Sequence, residues 1–196
     1  MREAQYSIRP ARKSDCRRIA ELYRISSDGV ADYIWTKMGR PGEDILDVGH
    51  RRYEREGTPF SYENCKMVEL EGKVVGMLVA FPMEVDEIRQ ETDPILVPYS
   101  MLEEDRSYYI CGIAVEEGHR GKGIGTALLD EAERTCRQIG FEKLSLIVFE
   151  ENVNARRWYE RAGYVERRRH HVVPHPLIHY RGYALLMVKE LGSGSG

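Results

Sequence analysis

A loop with glycines at alternate positions constrains this chain more than any other part of its sequence. An apolar stretch, residues 109–115, leads into the loop, and a helical pattern begins directly after it. The glycines are Gly121, Gly123 and Gly125. Because glycine has no Cβ atom, such a backbone can curl until several amide N–H groups converge, and a helix start adds its positive dipole end. Together with the cations of Arg120 and Lys122, this pattern predicts a pyrophosphate-binding site.

The spacing of the glycines excludes one phosphate-binding motif and disfavours a second. A P-loop has a glycine five residues before its Gly-Lys pair and a Ser or Thr after it, but those positions are Glu116 and Gly123. A dinucleotide-binding fingerprint would place its third glycine at Thr126, and its strand normally opens the domain. An ordinary glycine-rich turn is the structural alternative.

A second motif lies downstream and identifies a family. The frame Arg120-x-x-Gly123-x-Gly125 after a strand resembles the acetyl-CoA loop of the GNAT acetyltransferase superfamily. Residues 152–164 resemble that family's N-x-x-A-x-x-x-Y-x-x-x-G-[FY] element and match it at Asn152, Ala155, Tyr159, Gly163 and Tyr164. The resemblance covers residues 109–164 and implies an α/β (α+β) fold with a mixed, mostly antiparallel central sheet flanked by helices.

The resemblance implies acetyl-CoA as co-substrate and N-acetyltransferase activity. In the family the glycine loop holds the coenzyme's pyrophosphate, the asparagine contacts its pantetheine arm, and the tyrosine lies near the thioester sulfur. We therefore expect acetyl-CoA to be bound by Ile113, Ala114, Val115, Arg120, Gly121, Lys122, Gly123, Ile124, Gly125, Thr126, Asn152, Ala155 and Tyr159.

Acetyl transfer to an amine requires a base, an oxyanion site and a proton donor. An alkyl amine with a pKa near 10.4 is only about one part in a thousand neutral at pH 7, so a base is expected. A backbone N–H of the strand at 113–115 is predicted to stabilise the oxyanion, as in the family. Tyr159 is the predicted general acid. Direct transfer is favoured over an acyl-thioester on Cys111.

The base cannot be carried over from the family. Some members have a catalytic carboxylate five residues before the asparagine, and that position is Ile147 here. Glu116, acting directly or through a water, is the candidate. The alternatives are Glu117, Glu150, Glu151, Tyr109 and Cys111. Each of the four glutamates could instead be a solvated carboxylate at the end of a strand, with no catalytic role.

Two polar segments bear on the acceptor. Residues 84–105 carry eight acids against Arg89 alone, which suggests a cationic acceptor or else a solvated loop. His170, His171, His175 and His179 lie in a second segment, but Pro174 and Pro176 prevent the helix that would align them. No metal site is predicted, and this segment either lines the acceptor pocket or is exposed polarity. The sequence does not determine whether the protein forms a homodimer.

Composition limits the remaining possibilities. The 196 residues, 42% of them hydrophobic, suit one domain over residues 1–191, followed by a flexible Gly/Ser tail at 192–196. With a net charge of −3, the chain lacks the excess of basic residues that is typical of nucleic-acid binding. No apolar run is long enough for a membrane span. A cytoplasmic enzyme with scattered, buried thiols is expected, and the alternative function is a non-catalytic acyl-CoA sensor.

Periodicity predicts the order of the secondary structure. Strands are expected at 6–9, 65–70, 74–81, 108–115, 144–149, 164–173 and 180–189, and the second and third of these form a hairpin. Helices are expected from a cap at Ser14 or Asp15 to before Gly29, over 30–56 with a break at 39–42, and at 124–139 and 153–162.

Overall fold

A computed structural model describes residues 6–85 and 91–192 of the chain, so most of the predicted Gly/Ser tail lies outside the described residues. The strands are β1 (Ser7–Pro10), β2 (Cys65–Leu70), β3 (Lys73–Met83), β4 (Ser107–Val115), β5 (Lys143–Phe149), β6 (Val165–His171) and β7 (Tyr183–Glu190). The α-helices are α1 (Cys16–Ser26), α2 (Val30–Met38), α3 (Ile45–Tyr53), α4 (Val97–Ser100), α5 (Ile124–Gln138) and α6 (Val153–Arg161). Short 3₁₀ turns lie at Lys13–Asp15, Tyr62–Asn64 and Glu117–His119.

The strands are ordered β1-β2-β3-β4-β5-β7-β6. The pairs β1–β2, β2–β3, β5–β7 and β6–β7 are antiparallel, whereas β4 and β5 are parallel. Helices interleave with these strands, so the predicted mixed, mostly antiparallel α/β fold is confirmed. Among the described residues, no helix is long and apolar enough to cross a membrane.

The chain forms two compact units. The first unit comprises Met1–Ala80 and Gly112–Glu131, and the second comprises Phe81–Cys111 and Ala132–Gly196. The single domain expected over residues 1–191 stays a prediction. The glycine loop belongs to the first unit, whereas the motif at 152–164 belongs to the second.

The core of the first unit is built on three helices and the β2–β3 hairpin. Trp35 and Tyr53 are fully buried, and Gly49 of α3 lets Trp35 approach so closely that a Cβ there would lie 2.6 Å from the indole. The hairpin turns through Glu71 and Gly72, at φ +50° and +76°, the left-handed pair that a two-residue turn requires.

The core of the second unit lies on β5 and β7. Leu144, Leu146, Leu185 and Met187 are at most 1% exposed, and β5 pairs with β7 from Lys143↔Glu190 to Phe149↔Ala184. β6 is the last strand in the order, and Arg167, Arg168 and Arg169 are exposed on it.

The elements predicted from periodicity are confirmed, with their ends shifted by a few residues. Helix α4 was not predicted, because four residues that include Pro98 show no helical periodicity. The four cysteines are thiols: Cys16, Cys65 and Cys136 are buried as expected, but Cys111 is only half-buried. Burial raises the pKa of both Cys16 and Cys136 to about 11.

Candidate active site

Two glycines give the loop after β4 its shape. Gly121 and Gly123 have φ angles of +74° and +79°, a left-handed backbone that favours glycine. Among the described residues, no protein atom outside their chain neighbours lies within 4 Å of the position where a Cβ would stand on either glycine. Gly125 lies instead in the first turn of α5, which begins at Ile124. The loop is therefore open where it turns most sharply.

The start of α5 presents backbone donors beside these glycines. The Ala127 N–H donates to the Gly123 carbonyl at 3.0 Å and closes the first turn of a 15-residue helix. The preceding amides of Ile124, Gly125 and Thr126 lie at the N-terminal end, where the helix dipole is positive. Open space next to helix-terminal amides fits a pyrophosphate.

The two cations of the loop contact its own backbone. Arg120 Nε donates to the Val115 carbonyl at 2.9 Å, and Lys122 Nζ donates to the Gly118 carbonyl at 3.0 Å. Both side chains are exposed. Positive charge and amide donors therefore occur in one loop, which is the combination that binds phosphate groups.

The end of β4 directs alternate amides to opposite sides. The Glu116 N–H donates to the Val75 carbonyl of β3 at 2.9 Å. Because successive amides of a strand alternate, the Ala114 N–H points toward β3 as well, whereas those of Ile113 and Val115 point away. Within the second unit, the parallel pairing of β4 with β5 joins Tyr108–Ile110 to Leu144–Leu146. Ile113 and Val115 are thus the better placed of the three predicted residues to donate to a ligand.

Glu116, the predicted base, is held by an arginine of α1. Arg18 Nη2 donates to the Glu116 carboxylate, and His119 Nε2 lies 4.0 Å from the other carboxylate oxygen. Partial burial alone would lower the pKa of Arg18, but hydrogen bonds to Glu21 and Glu116 raise it above its usual value. Arg18 lies 98 residues before Glu116, and no sequence signal links them.

The second motif begins as a helix cap. Asn152 is the N-cap of α6, and its side-chain oxygen accepts the Ala155 N–H at 3.3 Å. The half-buried ring of Tyr159 lies 4.8 Å from that of Trp158 and 5.7 Å from that of Tyr164, between ring centroids. Asn152, Ala155 and Tyr159 therefore belong to one helix, whose start Asn152 fixes.

Tyr109 and Tyr164 of the second unit are poor bases. Burial raises the pKa of Tyr109 well above its usual value, and the acidic neighbours Cys111, Glu103 and Tyr159 raise it further. Its phenol stays protonated at neutral pH, which counts against Tyr109 as the general base. Burial also raises the pKa of Tyr164, whose side chain is 2% exposed.

The carboxylates that follow β5 have partners within the second unit. Arg169 Nη1 donates to Glu150 at 2.9 Å, and Glu151 accepts the Arg181 backbone N–H at 3.4 Å. These contacts connect Glu150 to β6 and Glu151 to the residues just before β7. A structural role accounts for the two acids without catalysis.

Two apolar residues of the acidic segment are packed within the second unit. The segment's residues Asp86, Glu87 and Arg89 lie outside the described ranges. Leu102 is 1% exposed, and the ring of Tyr99 meets that of Phe149 edge-on at 6.1 Å. A cavity of about 300 Å³ lies where the two ends of this segment meet, and it is lined by Val85, Glu103, Glu104, Asp105 and Arg168. Acidic side chains of this segment therefore border a cavity in the second unit.

The histidine segment ends β6 and continues beyond it. His170 and His171 lie on the strand, and His171 Nδ1 is 2.9 Å from the Val172 carbonyl oxygen. The His171 ring meets the Tyr183 ring edge-on at 5.2 Å. Within residues 6–85 and 91–192, no group of three or more His, Cys, Asp or Glu side chains is arranged to hold a metal ion.

Comparison with known protein families gives one match that covers both motifs. The model of the acetyltransferase (GNAT) family matches residues 40–164. YycN of Bacillus subtilis, an uncharacterized N-acetyltransferase, is 38% identical over 58 residues, which are 30% of this chain and 37% of YycN. The match with this relative therefore spans little more than a third of its length.

Solved structures resemble nearly the whole chain. The polyamine N-acetyltransferase of Drosophila melanogaster, which catalyses the formation of N-acetylagmatine, has a TM-score of 0.68 at 15% identity, over 95% of this chain and 100% of that one. yncA of Salmonella typhimurium, solved with its cofactor acetyl-CoA, has a TM-score of 0.61 at 16% identity, over 98% and 97% of the two chains. At these identities the likeness shows the fold.

Proposed function

Because this chain belongs to the GNAT acetyltransferase family, we propose that it transfers the acetyl group of acetyl-CoA directly to a primary amine. The observation that carries the proposal is the glycine loop, where Gly121 and Gly123 turn with open space beside the first amides of α5. Dedicated phosphate-binding geometry after β4 is what a coenzyme with a pyrophosphate requires.

The coenzyme contacts are proposed separately for the two units. In the first unit, the amides of residues 121–126 and the side chains of Arg120 and Lys122 bind the pyrophosphate, and strand residues 113–115 bind the arm. In the second unit, Asn152 and Ala155 at the start of α6 contact the pantetheine. The Asn152 side-chain oxygen caps α6, which places this residue at the start of that helix.

The reaction forms a C–N bond and breaks a C–S bond. The amine nitrogen attacks the thioester carbonyl carbon, the carbonyl oxygen becomes an oxyanion, and an N–H of Ile113 or Val115 donates to it. Collapse of this intermediate expels the thiolate, which takes a proton from the Tyr159 hydroxyl. Since a thiol has a pKa near 8.5 and tyrosine near 10, this transfer is uphill by about 2 kcal/mol unless the site shifts those values.

The base that removes the amine proton is proposed to be Glu116, acting through a water. Arg18 holds its carboxylate at the end of β4, close to the strand amides in sequence. Glu116→Gln should lower kcat and remove the limb of the pH–rate profile that reports the base, because an amide cannot accept the proton. An unchanged pH–rate profile in Glu116→Gln would show that Glu116 is not the base.

The acceptor is proposed to be cationic. The segment 84–105 has a net charge of −7, and three of its acids line a cavity. The Drosophila protein with a similar fold is a polyamine N-acetyltransferase. A polyamine or aminoglycoside is favoured, and a lysine or N-terminal amine of a protein is the alternative within the same chemistry.

A non-catalytic acyl-CoA sensor is the second candidate function. It is favoured by Ile147, which stands where some family members carry a catalytic carboxylate. A sensor would bind acetyl-CoA but release no free CoA thiol with any amine. An enzyme would release thiol with at least one amine of a panel, so this assay separates the two functions.

A further inference from the structure

One ion pair joins helix α1 to the residue at which β4 gives way to the glycine loop. Arg18 donates to the Glu116 carboxylate, and both side chains are partly buried, at 28% and 38% exposure. The other nitrogens of the guanidinium are also engaged: Nη1 donates to Glu21 at 2.8 Å, and Nε lies 3.3 Å from the Val74 carbonyl oxygen. The planar donor fork is thus held by two carboxylates and a backbone carbonyl.

Glu116 is thereby fixed from two directions. Its backbone N–H is bonded to the Val75 carbonyl of β3 at 2.9 Å, while its side chain is bonded by Arg18. Arg18 Nη2 also donates to the Val74 carbonyl at 3.0 Å, so consecutive carbonyls of β3 hold the two partners of the ion pair. Neither Arg18 nor Glu116 can move alone without breaking a contact to β3.

The orientation of Glu116 is passed to the loop by a short 3₁₀ turn. The Glu116 carbonyl accepts the His119 N–H at 2.9 Å, and the Glu117 carbonyl accepts the Arg120 N–H at 3.2 Å. The left-handed Gly121 follows directly. Because this turn connects the anchored Glu116 to the amides at the start of α5, its starting direction sets where those amides lie.

We propose that Arg18 is a positioning residue for coenzyme binding: through Glu116 it fixes the origin of the glycine loop. The inference rests on the proposed function of that loop. Arg18 does not need to touch the coenzyme. Its loss should therefore weaken coenzyme affinity because the amides no longer converge in one preferred arrangement.

A charge effect alone makes the opposite prediction for one variant. If Arg18 acted only as a nearby positive charge, Arg18→Gln would weaken binding of an anion, but Glu116→Gln would remove a negative charge and strengthen it. If the pair positions the loop, both substitutions remove the ion pair, leaving at most a weaker hydrogen bond, and both weaken binding. The sign of the Glu116→Gln effect therefore separates positioning from charge.

The experiment is calorimetric titration of CoA into the wild-type protein, Arg18→Gln, Glu116→Gln and the double variant. A partly exposed ion pair predicts about 2- to 5-fold weaker binding for either single variant, and the double variant should bind no more weakly than the weaker single one. Arg17→Gln is the matched control. It removes the same charge from the same helix, where Arg17 pairs with Asp47, and should leave Kd within about 2-fold.

Further measurements keep the test independent of folding and of turnover. Circular dichroism and thermal melting report whether each variant is folded, and Arg18→Lys serves if Arg18→Gln is not. A lysine keeps the charge but cannot hold Val74, Glu21 and Glu116 together, so its Kd should also rise. In steady-state kinetics, the KM for acetyl-CoA should rise in Arg18→Gln, and kcat should fall as well if Glu116, which Arg18 holds, is the base.

The outcomes are distinct. Unchanged Kd in a folded Arg18→Gln protein, or tighter binding in Glu116→Gln, would overturn the positioning role while leaving the proposed acetyltransferase intact. Failure of the wild-type protein to bind CoA would instead overturn the proposed function of the loop. Weaker binding in both single variants with no added loss in the double variant supports the proposal.

Discussion

The Gly123 carbonyl accepts the N–H of Ala127 at 3.0 Å, so the residue that completes the loop's turn at φ +79° also accepts the first hydrogen bond of helix α5. The two roles are linked because the bend places the helix-terminal amides next to the open space of the loop. A change at Gly123 should therefore affect anion binding through the backbone as well as through the volume of a side chain.

Gly123→Val should weaken CoA binding strongly. Valine is strained at a positive φ, and its side chain would fill the open space beside the first amides of α5. Calorimetric titration measures the loss. Gly140→Val is the matched control, because Gly140 has a φ of +81° and equally open surroundings at the other end of α5. Equal affinities in folded Gly123→Val and wild-type protein would contradict the phosphate site.

Tyr159→Phe should lower kcat while leaving the Kd for acetyl-CoA nearly unchanged. It removes a hydroxyl whose proton is used only when the thiolate departs, and general acid catalysis contributes about 10² to 10⁴-fold. Steady-state kinetics and titration together measure this separation. Tyr62→Phe, at an exposed hydroxyl bonded to Glu56, controls for the loss of a phenol oxygen. Wild-type turnover in Tyr159→Phe would leave Tyr159 as a packing residue.

Neutralising the acidic segment should affect cationic acceptors selectively. Glu87→Gln, Glu91→Gln and Asp93→Asn combined should raise the KM for a polyamine and flatten its salt dependence. Charge attraction weakens as the Debye length falls from about 10 Å at 0.1 M to about 3 Å at 1 M salt. The amides keep an oxygen acceptor for the local backbone bonds that Glu91 and Asp93 accept.

The control for this triple variant neutralises three exposed acids elsewhere, Asp130, Glu142 and Glu160. It changes the net charge equally and should leave the polyamine KM and its salt slope close to those of the wild-type protein. If the two triple variants behave alike at both ionic strengths, the acidic segment has no part in acceptor choice.

Asp15 should stabilise the fold at neutral pH and lose that effect in acid. Burial alone would raise the pKa of Asp15, but hydrogen bonds from Arg9 and the Arg12 backbone outweigh it and lower the pKa below 3.8. A carboxyl whose pKa is lower in the folded state than in the unfolded state stabilises the fold at pH values above the unfolded-state pKa. That contribution is lost as the pH falls through the folded-state pKa. Asp15→Asn should thus cost about 1 kcal/mol at pH 7 and less near pH 3.

Denaturant unfolding of wild-type and Asp15→Asn protein at the two pH values measures this difference. Asp130→Asn, on the exposed face of α5, is the control for the substitution itself. A cost in Asp15→Asn that is the same at pH 7 and pH 3 would show that the carboxylate charge contributes nothing to stability.

Local signals in the sequence were sufficient for the elements that position the site. The run from β4 through the loop to α5 follows from an apolar strand, glycines and helical periodicity, all within about thirty residues of one another. The Asn152 cap of α6 likewise depends only on Ala155 nearby. Such features need no knowledge of the tertiary structure.

Contacts distant in sequence could not be predicted. Arg18 and Glu116 meet only because α1 packs beside the ends of β3 and β4, and nothing in either local sequence selects the other. Leu102 is buried although it lies in a strongly acidic segment, and Tyr99 of the same segment meets Phe149 of β5 edge-on. Composition describes the average of a segment, whereas packing is decided residue by residue.

The most direct test of the proposed function is release of free CoA thiol from acetyl-CoA in the presence of a panel of amines. The panel should contain polyamines, aminoglycosides, a lysine peptide and neutral amines, with Tyr159→Phe protein as the control for enzyme-dependent release. We predict thiol release and a matching N-acetylated product with at least one cationic amine, at a rate reduced in Tyr159→Phe. Tight binding of acetyl-CoA with no release for any amine would contradict acetyl transfer and leave a sensor.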